Sequence, residues 1–113
     1  MTTEHDIQNA ILKWLALHPQ ARVYRRNVGV AEFGKHKVRF GLKGQADLYG
    51  HVVGGRCFEI EVKTRTGRLS KEQKAWAELC RKMGVPHVVA YCVEDVWQLF
   101  RTAFPDLEWL PPQ

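Results

Sequence analysis

No stretch of the 113 residues approaches the roughly 20 apolar positions that a membrane-spanning helix needs, and the opening MTTEHDIQNA lacks a basic region followed by an apolar run. Secretion and membrane insertion are therefore not expected. Cysteine is scarce: Cys57, Cys80 and Cys92 are odd in number and show no CxxC spacing, which argues against a disulfide framework or zinc knuckle and fits a reducing, cytoplasmic setting. His5, His18, His36, His51 and His87 form neither H-x-x-x-H nor HNH-like clusters, so a histidine-based metal site is not expected. There is no GxxxxGK[ST], hence no ATP-driven step. Repeats, low-complexity segments and linkers are also missing. With 45% hydrophobic residues, the chain has enough apolar material for one core, and residues 1–113 are expected to form a single domain.

Acids are in short supply as well, 12 against 17 Lys and Arg, giving a formal net charge of +5 and a pI near 9.3. Such a balance favours polyanionic partners, nucleic acid among them. The imbalance is local: residues 22–74 hold 13 basic groups against 5 acidic ones, while the remainder carries 4 against 7. Three of the acids in that basic region, Asp47, Glu59 and Glu61, fall on two neighbouring strand candidates.

Hydrophobic spacing gives the element order α-β-ββ-α-β-α. Thr3 with Asp6 three residues on is an N-cap pattern, and Ile7, Ala10, Ile11, Trp14 and Leu15 follow at helical intervals, predicting a helix over 4–17. Residues 22–28 read as a strand. The basic stretch GVAEFGKHKVRFGLKG, residues 29–44, has no clear periodicity and is expected to be a loop, of a length usually functional or disordered. Strands over 46–53 and 56–63 flank Gly54-Gly55, a dipeptide suited to a tight antiparallel turn. Ser70 and Gln73 form a capping-box pattern for a helix with the apolar stripe Trp76, Leu79, Cys80 and Met83 and a stop at Gly84. A strand over 87–92 and a helix over 93–102, with Val96, Leu99 and Phe100 on one face, precede the Pro-rich tail PDLEWLPPQ.

In the segment CFEIEVK, period-two alternation sends Phe58, Ile60 and Val62 to one face and Glu59, Glu61 and Lys63 to the other. Phosphodiester cleavage needs carboxylate oxygens to hold a hard divalent cation and a cationic group near the attacking water and the phosphate. Glu61 and Lys63 supply one of each. If Val53 opposes Arg56 across the glycine turn, Asp47 falls opposite Val62, to within a residue or two, and a shared metal site can form. The main-chain carbonyl of Val62 would be a further oxygen ligand. An E-x-K on its own is more often an exposed, salt-bridged strand face.

The surrounding pattern changes that balance. GQADLYG, followed about ten residues on by FEIEVKTRTGRLSKEQKAW, with Glu4 in the opening helix, resembles the VRR-NUC family of PD-(D/E)XK nucleases, over residues 4 to about 95. Its distinctive part is an aspartate after Gly44, the triplet Glu61-Val62-Lys63, the T-G-R-L-S segment and Gln73. One departure is Ala46, where the family commonly has proline; this bears on backbone rigidity more than on catalysis, since proline offers no ligand.

The resemblance implies an α/β fold, restriction-endonuclease-like, with a mixed central sheet flanked by helices. It also implies a DNA endonuclease in which Asp47, Glu61 and the Val62 carbonyl hold Mg²⁺ or Mn²⁺ and Lys63 orients the water. Glu4 would reach the metal site, or would simply be a first-turn acid favoured by the helix dipole. Gln73 would support the site, complete the capping box, or do both. Glu59 is expected to be accessory. Arg25, Arg26, Lys35, Lys37, Arg39, Arg65 and Arg68 are expected phosphate contacts, although any single one is more often solvated surface. Free-standing members, known from phages and bacteria, are similar to junction resolvases in cutting branched DNA as symmetric dimers. Phe104, Leu107, Trp109 and Leu110 make the tail either a dimer contact or part of its own core. A non-cutting nucleic-acid-binding module and a nuclease subunit that needs a partner are the rival readings.

Overall fold

Thr3 caps the first helix with its hydroxyl, which accepts from the Asp6 N–H, while the Asp6 carboxylate accepts from the Thr3 N–H. The helix this box opens, α1 (Glu4–Leu15), buries Ile7, Ile11, Trp14 and Leu15 along one stripe. The computed structural model describes residues 2–26 and 29–113, excepting the side chains of residues 29–31 and 38–40. After α1 come β1 (Ala21–Arg25), β2 (Gly29–Phe33), β3 (His36–Phe40), β4 (Leu48–Val52), β5 (Arg56–Val62), α2 (Lys71–Met83), β6 (His87–Ala90) and α3 (Val93–Ala103). The four-stranded sheet runs β1-β4-β5-β6, with β6 parallel to β5 and the other pairs antiparallel. This is the mixed central sheet flanked by helices that the sequence implied.

Phe58, Ile60 and Val62 point from β5 into a core shared with Ile11 and Trp14 of α1, Val96 and Phe100 of α3, and Phe104 and Trp109 of the tail. The opposite face of β5 meets α2, whose Gln73 and Trp76 bond Glu61 and Glu59. Both faces of β5 are therefore covered, and every residue from Phe58 to Val62 is buried. Among the described residues, no helix is long and apolar enough to cross a membrane.

Three expectations change. The stretch 29–44 is mostly not a loop: β2 and β3 pair from Gly29↔Phe40 to Phe33↔His36, leaving the two-residue turn Gly34-Lys35. Gly34 takes φ +63°, and among the described residues no non-glycine has positive φ, so the turn follows the II′ pattern in which glycine leads. Secondly, the β4–β5 turn takes three residues instead of two. The ladder closes at Val52↔Arg56 and reaches Leu48↔Ile60, so one step beyond it Asp47 stands across from Glu61 rather than Val62. Thirdly, the stripe foreseen on α2 is only partly covered: Cys80 is buried and Trp76 half-buried, but Leu79 and Met83 are exposed, because the sheet beneath that helix ends in carboxylates rather than apolar side chains.

For the tail, expected to be either a dimer contact or part of its own core, the structure shows the core packing. Phe104 and Trp109 are buried in the chain's own core, and three tryptophan indoles tie the segment down: Trp14 to the Leu110 carbonyl (2.9 Å), Trp97 to that of Trp109 (3.1 Å) and Trp109 to that of Phe104 (3.1 Å). Their apolar surface is spent internally, which leaves the exposed Leu110 and the half-buried Leu107 as the tail's remaining apolar surface.

Candidate active site

The acids are brought together by register. Directly opposed residues of an antiparallel pair lie on the same face with Cβ atoms about 4.5–5.5 Å apart, so placing Asp47 across from Glu61 puts their carboxylates side by side. The register expected from a two-residue turn would have aimed Asp47 at a residue whose side chain points into the core. The segment before Asp47 is held closely as well. Gly44 (φ +93°) passes so near the first turn of α2 that a Cβ there would lie 2.4 Å from the Glu72 carbonyl oxygen. Only glycine fits both the dihedral and the approach.

Glu61 is 2% exposed and its Oε1 accepts from the Gln73 side-chain amide at 2.9 Å. Gln73 also completes the capping box of α2, its Oε1 accepting from the Ser70 N–H (2.8 Å) and its own N–H donating to the Ser70 hydroxyl (3.1 Å). Both roles foreseen for Gln73 are thus present as contacts. The half-buried Asp47 accepts the Val62 N–H on Oδ2 at 2.7 Å. In a strand the N–H and C=O of one residue project to the same side, so the Val62 carbonyl also lies on the Asp47 edge.

Burial pushes the Glu61 carboxyl up to about 8; the neighbouring Asp47 charge and a hydrogen bond between the two carboxyls add to this, Lys63 opposes it, and Glu4 adds slightly. Glu4, though exposed in the first turn of α1, is therefore within electrostatic reach of the acid pair. Lys63 follows β5 by one residue, half-buried, its N–H donating to the Ala90 carbonyl at 3.1 Å. Among the described residues, no three His, Cys, Asp or Glu side chains gather into a metal-binding group, so any ion here would draw on two carboxylates plus main-chain oxygen. That donor set fits a hard divalent cation: the adjacent carboxylates take part in no ion pair among the described residues, and carboxylate and carbonyl oxygen suit Mg²⁺ or Mn²⁺.

The basic residues divide. Arg65 and Arg68 are exposed on the loop between β5 and α2, and Arg65 lines a hollow of about 750 Å³ with Thr2, Asp6, Tyr91 and Glu94, a hollow that the Asp47–Glu61 pair does not line. Lys35 and Lys37 are exposed at the tip of the β2–β3 hairpin, Lys37 3.8 Å from Glu32. Arg25 is exposed and donates to Asn9 at 2.8 Å. The Arg39 side chain lies outside the described residues. Arg26 differs from all of these: its side chain is 14% exposed and holds Glu59 through two bonds, 2.6 and 2.9 Å. Glu59, treated as accessory, is thus the centre of a second buried polar cluster, which also takes the Trp76 indole at 2.9 Å. The signal for it was the spacing of Gln73 and Trp76, three apart on one helix, matched to Glu61 and Glu59, two apart on one strand.

A mixed sheet that carries an Asp, a Glu two residues before a Lys, and a helix packed over the acids is the arrangement of a PD-(D/E)XK-like nuclease domain. The model of the VRR-NUC domain matches residues 2–94, most of the chain, and the protein belongs to that family. Membership implies a nuclease-type function acting on DNA. No curated protein matches the chain.

Proposed function

We propose that this protein is a DNA endonuclease, using Mg²⁺ or Mn²⁺, that hydrolyses phosphodiesters in branched DNA as a homodimer. The observation that carries the reading is the placement of Asp47 across from Glu61, with Lys63 one residue beyond β5. Asp47, Glu61 and the Val62 carbonyl would hold the ion, which when bound polarises the phosphate and makes a water more acidic. Lys63 orients that water by donating a hydrogen bond to its oxygen, and donates to the non-bridging phosphate oxygens as their charge grows. The water oxygen bonds to phosphorus as the water gives up a proton to bulk solvent, the bond to the leaving oxygen breaks, and the departing alkoxide takes up a proton from solvent. Gln73 fixes the Glu61 carboxylate, and Glu4 adds negative charge at the rim.

Lys35, Lys37, Arg39, Arg65, Arg68 and Arg25 form the proposed phosphate-contacting set, and the hairpin would lie along the duplex. Branched DNA offers two equivalent strands, and an isologous pair of copies would offer two equivalent sites. The domain is proposed to work as one unit over residues 1–113. Incubating the protein with branched, flapped, nicked and linear DNA in Mg²⁺, Mn²⁺ or EDTA tests the whole reading: cutting should need the ion and favour the branched substrate. Cutting in EDTA would remove the metal, and equal cutting of all four substrates would remove the selectivity.

A further inference from the structure

We infer that Arg26 is a positioning residue, not a phosphate contact: through Glu59 and the carbonyls of Ala46 and Asp47, it sets where the Asp47 carboxylate stands. The inference rests on the reading of Asp47 and Glu61 as ion ligands. Three observations meet at this one residue.

The first is that both carbonyls of the segment end on Arg26. Its main-chain N–H donates to the Asp47 carbonyl at 2.8 Å, and its Nη1 donates to the Ala46 carbonyl at 3.3 Å. Asp47 precedes β4 by one residue, so the strand ladder alone does not hold it. Secondly, the guanidinium is fastened in turn. Nη1 and Nη2 grip the two Glu59 oxygens, the Trp76 indole donates to the same Glu59, and the Tyr49 and Trp76 rings lie 4.3 and 5.6 Å from the Arg26 carbon. Thirdly, the anchor points flank the acids by two residues each: Glu59 precedes Glu61 on β5, and Tyr49 follows Asp47 on β4. The cluster therefore joins the end of β1, the start of β4, the middle of β5 and α2 at a fixed distance from the acid pair.

Arginine suits this task because its planar fork serves a carboxylate with two bonds while its faces stack on aromatic rings; a lysine ammonium does neither. The same features keep it from DNA. Its fork is occupied by Glu59 and its ring-facing surfaces are covered.

Two variants test the inference, Arg26→Lys and Trp76→Phe, each read by Mn²⁺ calorimetry and single-turnover cleavage, while the charge-removing Arg26→Gln is read by the salt dependence of DNA binding in EDTA. Arg26→Lys should bind Mn²⁺ about 10- to 100-fold more weakly, the usual cost of losing a group that orients a ligand. Its cleavage should recover at high Mn²⁺, and Arg26→Gln should leave the salt slope unchanged. Trp76→Phe keeps the ring and removes one bond to Glu59, so it should move in the same direction by a few-fold, which keeps the inference testable if Arg26→Lys does not fold. A wild-type Mn²⁺ affinity in the folded variants overturns the inference, whether or not the melting temperature falls. So does a salt slope reduced by about one in Arg26→Gln, the signature of a lost phosphate contact. Asp47→Ala serves as the control. If it too binds Mn²⁺ normally, the ion-ligand reading itself has failed; if it loses the ion while Arg26→Lys keeps it, only the positioning role has.

Discussion

The two antiparallel hairpins of this chain, β2–β3 and β4–β5, are alike in their local chemistry and opposite in their surroundings. Each is closed by a turn containing left-handed glycine, Gly34 in one and Gly54 with Gly55 in the other. The β4–β5 pair is sandwiched between α1 with α3 on one face and α2 on the other, and it holds Asp47 and Glu61. The β2–β3 pair forms a separate two-stranded sheet, with Phe33 60% exposed beside Lys35 and Lys37. A lone two-stranded sheet has little stability of its own. Burial thus separates the two: the covered hairpin fixes carboxylates to within a hydrogen bond, and the described side chains of the other, residues 32–37, are all exposed.

The largest test of that contrast is catalytic. Asp47→Ala or Glu61→Ala should abolish both Mn²⁺ binding and cutting while DNA binding persists, since each removes a charged oxygen donor. Lys63→Ala should keep the ion and the DNA and lose about two to four orders of magnitude in single-turnover rate. Near-wild-type cutting by Lys63→Ala would end the proposed chemistry, because an exposed ion pair contributes nothing to rate.

Stability should divide the hairpins next. Phe58→Ala empties a fully buried position against Phe100 (ring centroids 4.8 Å) and should cost about 3–5 kcal/mol in urea unfolding. Phe33→Ala should stay within about 0.5 kcal/mol. A large loss from Phe33→Ala would mean that the outer hairpin is docked on something after all. A smaller effect is expected in binding: Lys35→Ala with Lys37→Ala should lower DNA affinity and reduce the salt slope by up to about 0.9 per residue, with Mn²⁺ affinity intact. An unchanged slope would take the hairpin tip off the DNA.

The same two regions show what was legible in the sequence. Alternation in CFEIEVK assigned faces correctly, and the capping boxes at Thr3 and Ser70 placed both helix starts, because such signals depend only on near neighbours. The hairpin at 29–40 was missed because its turn, Gly34-Lys35, lacks the Asn-Gly type of signal and its residues show no sustained period-two alternation of apolar and polar types. The register of β4–β5 was off by one residue because a glycine pair suits two- and three-residue turns alike, and the choice was made by packing. Burial of Glu59 and Glu61 was equally beyond local reading: it depends on α2 crossing that face, a contact between residues 12 to 17 apart in sequence.

A last test lies under the covered hairpin, where the tail closes the core. His18 sits between the Trp14 and Trp109 rings, at 4.5 and 5.2 Å, with one ring nitrogen donating to the Trp14 carbonyl and the other accepting the Leu110 N–H, both at 3.0 Å. That arrangement needs the neutral imidazole, since a second ring proton would oppose the Leu110 N–H. Burial accordingly holds its pKa below the usual 6.5, outweighing the bond to Trp14. The unfolded chain therefore binds more protons than the folded one just below 6.5, and the His18 contribution is complete above that value and lost as pH falls through the folded-state pKa. Glu61, raised to about 8, and His87, lowered by burial, also titrate across this range, but they do so equally in wild type and in His18→Gln. The unfolding free energy of wild type should exceed that of His18→Gln by about 1 kcal/mol, one net hydrogen bond, at pH 7.5 and by less at pH 5. Tryptophan fluorescence during urea unfolding measures it, and a difference that stays constant from pH 7.5 to 5 would show that the tail does not depend on the neutral ring.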